Sequence, residues 1–527
     1  MELNEFPDGW IISKVDDLGE LIRGISYKKE NASKSPSQGC KPILRANNIN
    51  GRLNFDELVY VPAKIIREEQ YIKKGDLIFA MSSGSKHLVG KSAPALNDYY
   101  GSYGAFCALL RPSKYIDKSY FAYFFQGNTF RKLVSEIAKG TNINNLKREH
   151  ILNIDFPLSP LPEQHRIVAK IEEVFSELDN GIENLKKARG QLKTYRQAVL
   201  KYAFEGKLTK EWRTLRRRAG NPPEPAEKLL EQIKTKREQH YLKQCQIAQN
   251  NDERRPKKLD TSLIEKNKPS FDLPSNWVWC RIADLFIALT DYHANGSYKK
   301  LKEKVELFDE PNYALMVRAT NFEKKDFKNS CKYISKEAYR FLSKSKLYGG
   351  ELLIGKIGNA GKVYYMPLLN RPASLAMNLF ALRFDSEFVS KYVYYHLISP
   401  FSEKDISSYV KGVGNITIDK KSVRSLLIAL PPFKEQHAIV QEIESRLSVC
   451  DKIEQTIEVS LKKTEALRQS ILKKAFAGEL TRDWREKHPE LITGENSAER
   501  LLERIKAENV RLAGNGKKQR LRKTKKR

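Results

Sequence analysis

Residues 163–234 recur at 435–506 without an insertion or deletion, 272 positions later in a chain of 527. Glu163-Gln164-His165 matches Glu435-Gln436-His437, Arg196-Gln197 matches Arg468-Gln469, and Ala203-Phe204 matches Ala475-Phe476. Gly206 then pairs with Gly478, Leu208-Thr209 with Leu480-Thr481, and Trp212-Arg213 with Trp484-Arg485. A period this long is far beyond that of a solenoid, whose units span a few tens of residues. The chain is therefore two copies of one functional half, and any fold assigned to one copy must serve the other.

The first copy places apolar residues at Ile167, Ile171, Phe175, Leu178, Ile182, Leu185, Leu192, Tyr195 and Val199. Those steps of three and four, broken by one gap at Ala188, predict a long amphipathic helix with a coiled-coil-like seam. The second copy repeats the seam at Ile439, Ile443, Leu447, Cys450, Ile453, Ile457, Leu461, Leu467 and Ile471. Pro162 and Pro432 stand at the expected starts, and Gly206 and Gly478 at the expected ends. Each helix should hold about 40 residues and extend roughly 60 Å.

Outside the helices a looser repetition links residues 1–160 with 271–431. Phe6-Pro7-Asp8-Gly9-Trp10 echoes Leu273-Pro274-Ser275-Asn276-Trp277, and Leu109-Leu110-Arg111 echoes Ala381-Leu382-Arg383. The offset drifts, so loop lengths differ between copies. Short apolar runs at 76–81, 105–110, 351–354 and 378–384, bounded by Gly, Asn and Ser, predict strands with helices between them. The expected class is α+β: two similar mixed α/β domains separated by two long helices packed as an antiparallel coiled coil, with a pseudo-two-fold internal repeat. The expected segments are 1–160, first domain; 161–206, first long helix; 207–270, a charged linker with a short helix; 271–431, second domain; 432–478, second long helix; and 479–527, the repeat end and a basic tail.

The net charge of +30 and pI near 9.6 make an acidic polymer the default partner. Six scattered cysteines form no CxxC pair and have no histidine at zinc-ligand spacing, which predicts a reducing, cytoplasmic setting without metal. No apolar run reaches the ~18 residues of a membrane span. The segment 84–92 misses a phosphate-binding loop because Ser85 stands where its first glycine belongs. Asn221-Pro222-Pro223-Glu224 lacks the aromatic ring with which an adenine methyltransferase stacks a flipped base. With no nucleophile elbow or carboxylate constellation, no catalytic residue is expected, and the chain reads as a binder.

The order of domain, helix, domain, helix, with Leu161-Pro162-Glu163-Gln164 and Pro432-Phe433-Lys434-Glu435-Gln436 opening the helices and G-x-L-T-x-x-W-R tracts at 206–213 and 478–485, closely resembles the specificity subunit of type I restriction-modification systems. The resemblance covers nearly the whole chain. The second opening departs from the family's Leu-Pro-x-Glu-Gln only by Phe433-Lys434. The resemblance implies two target-recognition domains for double-stranded DNA and repeated segments that bind two adenine methyltransferase subunits, which recruit restriction/translocase subunits. S-adenosylmethionine, ATP and magnesium would belong to those partners, and no membrane is involved. An antiparallel helix pair would set the two domains at opposite ends of a ruler about a two-fold axis, matching half-sites roughly 34–36 Å apart. The target would be bipartite and asymmetric. The alternative is a free-standing, sequence-specific DNA-binding regulator.

Base reading needs hydrogen-bonding side chains on loops that reach the major groove. In the first domain the candidates are Arg45, Asn47, Asn48, Ser83, Ser85, Lys86, His87, Asn142, Asn144 and Asn145. The second domain offers Arg318, Thr320, Asn321, Lys356, Asn359, Lys362, Asn415 and Thr417. For any single one of them, a turn role or a phosphate contact ranks ahead of base reading. Repeated polar and aromatic positions off the helical seam are the partner-binding candidates: Gln164, His165, Arg196, Gln197, Phe204 and Trp212, with Gln436, His437, Arg468, Gln469, Phe476 and Trp484. For His165 and His437, capping and partner contact both remain open.

Overall fold

The structure, a computed structural model, describes residues 6–82, 89–139, 146–252, 255, 256, 258, 271–412, 414 and 416–524. It divides into two compact units, residues 1–186 with 458–527, and residues 187–457.

In the first unit a ribbon pairs Ile11–Lys14 with Asp155–Leu158. Beside it lies a four-stranded sheet in the order Gly19–Arg23, Cys107–Pro112, Leu77–Ala80, Ser92–Pro94. A three-stranded sheet runs Val59–Pro62, Cys40–Leu44, Ser102–Tyr103, its last pair parallel. The strand Leu77–Ala80 has no polar position because both of its faces are covered. Leu77 and Phe79 join one core with Phe121, Phe125 and Phe156, whereas Ile78 and Ala80 join another with Leu44, Tyr103 and Leu109.

The second unit repeats this plan. Val278–Arg281 pairs with Leu427–Leu430, and a four-stranded sheet follows the order Phe286–Asp291, Leu379–Phe384, Leu352–Gly355, Val363–Tyr365. The other sheet is Lys332–Ile334, Ala314–Val317, Ala373–Leu375, Lys346–Leu347, again with one parallel pair, Ala314–Val317 with Ala373–Leu375. Leu352 and Ile354 face one core and Leu353 another, as in the first unit.

The long helices are Leu161–Phe204 and Phe433–Phe476, 44 residues each. In the first unit Ile167, Val168 and Ile171, near the start of one helix, share a core with Ile471, Leu472, Ala475 and Phe476, at the end of the other. In the second unit Val199, Leu200, Ala203 and Phe204 meet Ile439, Val440 and Ile443. The helices are therefore antiparallel. Matched ion pairs join them, Arg468 with Asp179 in the first unit and Arg196 with Asp451, at 2.7 Å, in the second. Burial along the seam is uneven: Tyr195, Ile453 and Leu467 are 43–48% exposed, because the middle turns have only one helical neighbour to cover them.

Both helices end on a left-handed glycine, Gly206 at φ +71° and Gly478 at φ +70°. A Cβ on either would lie 2.3 Å from a proline ring, Pro274 and Pro7 respectively, so the same proline–glycine packing closes each unit.

In the region expected as a charged linker with a short helix, the described residues hold two helices. Lys210–Arg218 and Ala226–Asn250 are helices, and buried Ala226 and Ile233 tie the second to its unit. In the repeat, Ala498–Thr524 is helical and buries Ala498, Leu501 and Ile505, so the backbone of the basic tail is helical to Thr524. The six cysteines are free, and among the described residues no helix is long and apolar enough to cross a membrane.

Candidate nucleic-acid and partner interface

The most repeated polar residues turn inward. Glu163 is fully buried and accepts hydrogen bonds from the Trp10 indole at 2.7 Å, Thr481 Oγ1 at 2.7 Å and the Arg485 guanidinium at 2.6 Å. Glu435, equally buried, accepts from Trp277 at 3.0 Å, Asn276 at 3.1 Å, Thr209 at 2.7 Å and Arg213. Arg485 and Arg213 also donate to the carbonyls of Gly478 and Gly206, the glycines that end the helices. Each helix-opening Glu is thus held by the G-x-L-T-x-x-W-R tract that follows the other helix, which antiparallel packing places beside it. A buried carboxylate is tolerated only when its charge and lone pairs are matched in this way.

This arrangement sorts the partner-binding candidates. Gln164 is buried, donating to the Ser159 carbonyl at 2.8 Å and accepting from the Asp117 amide at 3.0 Å, and Gln436 is buried and donates to the Pro431 carbonyl. Phe204 and Phe476 are core residues, packed on Tyr392 and on Tyr120 and Phe124. These four hold the fold and offer a partner no surface, a correction forced by burial. Arg196 and Arg468 form the interhelical ion pairs. Trp212 and Trp484 stay half-exposed, against the Arg216 guanidinium and the His488 ring. His165 is exposed, 3.7 Å from the Asp117 carboxylate, whereas His437 stacks on Phe388, and burial lowers its pKa.

Gln197 and Gln469 line cavities at matched positions, of about 420 and 370 Å³. Leu200 and Leu472 share these walls, but the linings differ in charge: Glu403, Glu444 and Asp451 with Arg196 border the first, Lys132 and Lys473 the second.

Among the DNA-reading candidates, two clusters coincide in design. The Asn48 amide accepts from the Arg45 backbone at 2.9 Å and donates to the Asp56 carbonyl, and Asn321 does the same with Arg318 and Asp326. Arg45 and Arg318 donate to the carbonyls of Glu57 and Ser330. Asn48 and Asn321 are 1% and 3% exposed, so they cap short helices and cannot reach a base. Asn47 and Thr320, between them, are exposed.

Asn359 and Lys362 share Glu323, at 2.6 and 3.2 Å. Lys356 and Thr417 line a further cavity of about 380 Å³. Ser83, Ser85, Lys86, His87, Asn142, Asn144, Asn145 and Asn415 lie outside the described residues. Sequence reasoning passed over Asp291 and Lys420, which complete the cavity beside Lys356. It also gave Glu163 and Glu435 no internal role, although the repeated Thr and Arg were the available signal.

Comparison with known proteins agrees with this architecture. The family described as type I restriction modification DNA specificity domain matches residues 7–187 and 274–463, one match in each repeat. The type I restriction enzyme EcoKI specificity subunit of Escherichia coli (strain K12) is 32% identical over 531 aligned positions, covering 98% of this chain and 99% of that one. The StySPI specificity subunit of Salmonella potsdam is 31% identical over the same shares. A solved chain from work on complex assembly and conformational transition of the type I R-M system superposes with a TM-score of 0.59 over 90% of this chain and 100% of its own, at 17% identity, a likeness of fold. This chain belongs to the type I restriction modification DNA specificity family.

Proposed function

We propose that this chain is the non-catalytic DNA specificity subunit of a type I restriction-modification complex, recognising a bipartite, asymmetric target in double-stranded DNA. Each unit would read one half-site. Adenine-N6 methyltransferase subunits, two in number, and restriction subunits would assemble on the repeated segments. In this reading S-adenosylmethionine, ATP and magnesium are held by those partners, and the complex works in the cytoplasm beside the chromosome.

The observation that carries the proposal is the contrast between scaffold and loops. The two units keep the same order in the ribbon and the larger sheet, the same buried Glu–Thr–Arg–Trp clamp and the same interhelical ion pair. They differ where polar side chains come to the surface, as repeated partner seats with divergent readers should. The charge of +30 suits a phosphate backbone, and affinity for DNA should fall steeply with salt.

The test is single-molecule sequencing of modified bases in the source genome with the gene intact and deleted. Loss of N6-methyladenine at one split, asymmetric motif is the expected result. An unchanged methylation pattern from a system whose methyltransferase is active would overturn the proposal.

A further inference from the structure

In the second unit the Asp291 carboxylate is 5% exposed as a residue and receives two ammonium groups, Lys356 Nζ at 3.1 Å on one oxygen and Lys420 Nζ at 2.9 Å on the other. Both ammoniums lie over the buried Phe380 ring, 5.5 and 5.9 Å from its centroid. They border a cavity of about 380 Å³ lined also by Ile357, Lys411, Thr417 and Asp419. Backbone bridges join Thr417 to both Lys411 and Ile357. Burial pushes the Asp291 carboxyl up, but the hydrogen bonds and charges of Lys420 and Lys356 outweigh it and hold its pKa below the usual carboxylate value. With Lys411 and Asp419 in the same lining, three lysines face two carboxylates, and the cluster keeps a positive charge. Each ammonium on Asp291 has three donors, and that carboxylate takes one from each.

The first unit carries other residues at the matched backbone positions. Strand register equates Asp291, opposite Phe380, with Arg23, opposite Ala108. The amide of Ile418 donates to the Lys356 carbonyl as that of Leu146 donates to Met81, which equates Lys356 with Met81. Lys420 opens the helix Lys420–Arg424 as Arg148 opens Arg148–Leu152. The backbone frame is thus retained, while Asp, Lys and Lys stand in for Arg, Met and Arg.

A phosphate contact needed by both halves would have no reason to diverge at a matched position, whereas base reading requires it to. We propose that Lys356 and Lys420, held convergent by Asp291, donate to the acceptor edge of a guanine in the half-site read by the second unit. The O6 and N7 atoms of guanine are the acceptor pair that two convergent ammonium donors select in the major groove. Asp291 is the positioning residue, and Phe380 the apolar floor that keeps the ammoniums turned outward. The inference rests on the proposed function, because it presupposes that this unit reads DNA.

The test uses the chain assembled with its methyltransferase. Lys356→Met, which installs the residue of the first unit, and Lys420→Met are compared with wild type by sequencing the methylated motif. Loss of discrimination at one G·C position of the second half-site, by about 5- to 150-fold, is expected, with the first half-site unchanged in the same molecules. Lys356→Arg, which keeps charge and donors, should retain the guanine preference.

Methylation that falls equally at every sequence, with a shallower salt dependence of binding, would mean a phosphate contact and overturn the assignment, as would an unaltered motif. Should either methionine variant fail to assemble, Asp291→Asn, which keeps both lysines while loosening their placement, must still relax the same position, and an intact motif there overturns the proposal. A wild-type complex that methylates no split motif would sink the functional reading itself, which separates the two failures.

Discussion

Replacing Glu435 with glutamine should destabilise the second unit more than the same change at Glu163 destabilises the first. Glutamine keeps the shape but leaves one carbonyl oxygen. Turned toward Thr209 and Arg213, that oxygen keeps two donors satisfied, and the new NH2 group then confronts the Trp277 and Asn276 donors. At Glu163 the NH2 group confronts only the Trp10 indole, because glycine, Gly9, stands where the second unit has Asn276. Removing one charge of a buried pair costs about 3–5 kcal/mol. The second stranded donor at Glu435 adds about 1–3 kcal/mol. For units of this size about 3–5 kcal/mol lowers Tm by roughly 6–20 °C. Urea denaturation of both variants, with proteolysis and mass spectrometry to locate the weakened unit, measures the difference. A cost at Glu435 below about 1 kcal/mol, or smaller than the cost at Glu163, would refute the clamp as a source of stability.

Acid should weaken the second unit through His396, fully buried, whose pKa burial lowers to about 3 while its Nε2 accepts the Ala429 amide at 3.0 Å. Its folded pKa lies below the unfolded value, so the stabilisation is present above about pH 6.5 and is lost as pH falls toward 3, about 5 kcal/mol in all. His396→Gln should flatten that acid limb in unfolding free energies measured at pH 7 and 4.5, and parallel pH profiles would contradict it. Phe204→Ala and Phe476→Ala should each cost about 3–5 kcal/mol in thermal or urea melts. Trp212→Ala and Trp484→Ala, at half-exposed sites, should leave Tm within a few degrees and instead reduce copurification of the methyltransferase subunit. Exchanging residues 1–160 for the matching segment of a relative should change one half-site of the methylated motif, and a change in both would defeat the division of labour.

The long helices and the mixed α/β units were legible because they rest on period and repetition. A spacing of threes and fours declares a helix without knowledge of its neighbour, and a strand such as Leu77–Ala80 declares itself by an unbroken apolar run. The clamp was illegible for a different reason. Glu163 could have met Thr209 and Arg213 of its own copy or Thr481 and Arg485 of the other, and identical copies carry no signal that separates these pairings. Only the packing direction of the helices decides it. Asn48 and Asn321 were mistaken for readers because asparagine on a turn serves equally as a cap and as a base contact, and burial distinguishes the two. Asp291 was missed since one carboxylate at a strand end has no motif; its meaning lies in Lys356 and Lys420, 65 and 129 residues away.

The crossed clamp also sets an order of events at the ribosome. Every residue of the second unit, 187–457, is contiguous, so it can close on itself while the chain is still being extended. The first unit cannot. Trp10 and Glu163 emerge early, but Thr481 and Arg485 lie 318 and 322 residues beyond Glu163. Until they arrive the Glu163 carboxylate has no cation, and the apolar faces of Ile167, Ile171 and Phe156 lack the partners Ile471 and Phe476 that later cover them. Contacts this distant in sequence form late and leave apolar surface open meanwhile. The half made first is therefore the half finished last, and it is the one in which a nascent chain has most need of a chaperone.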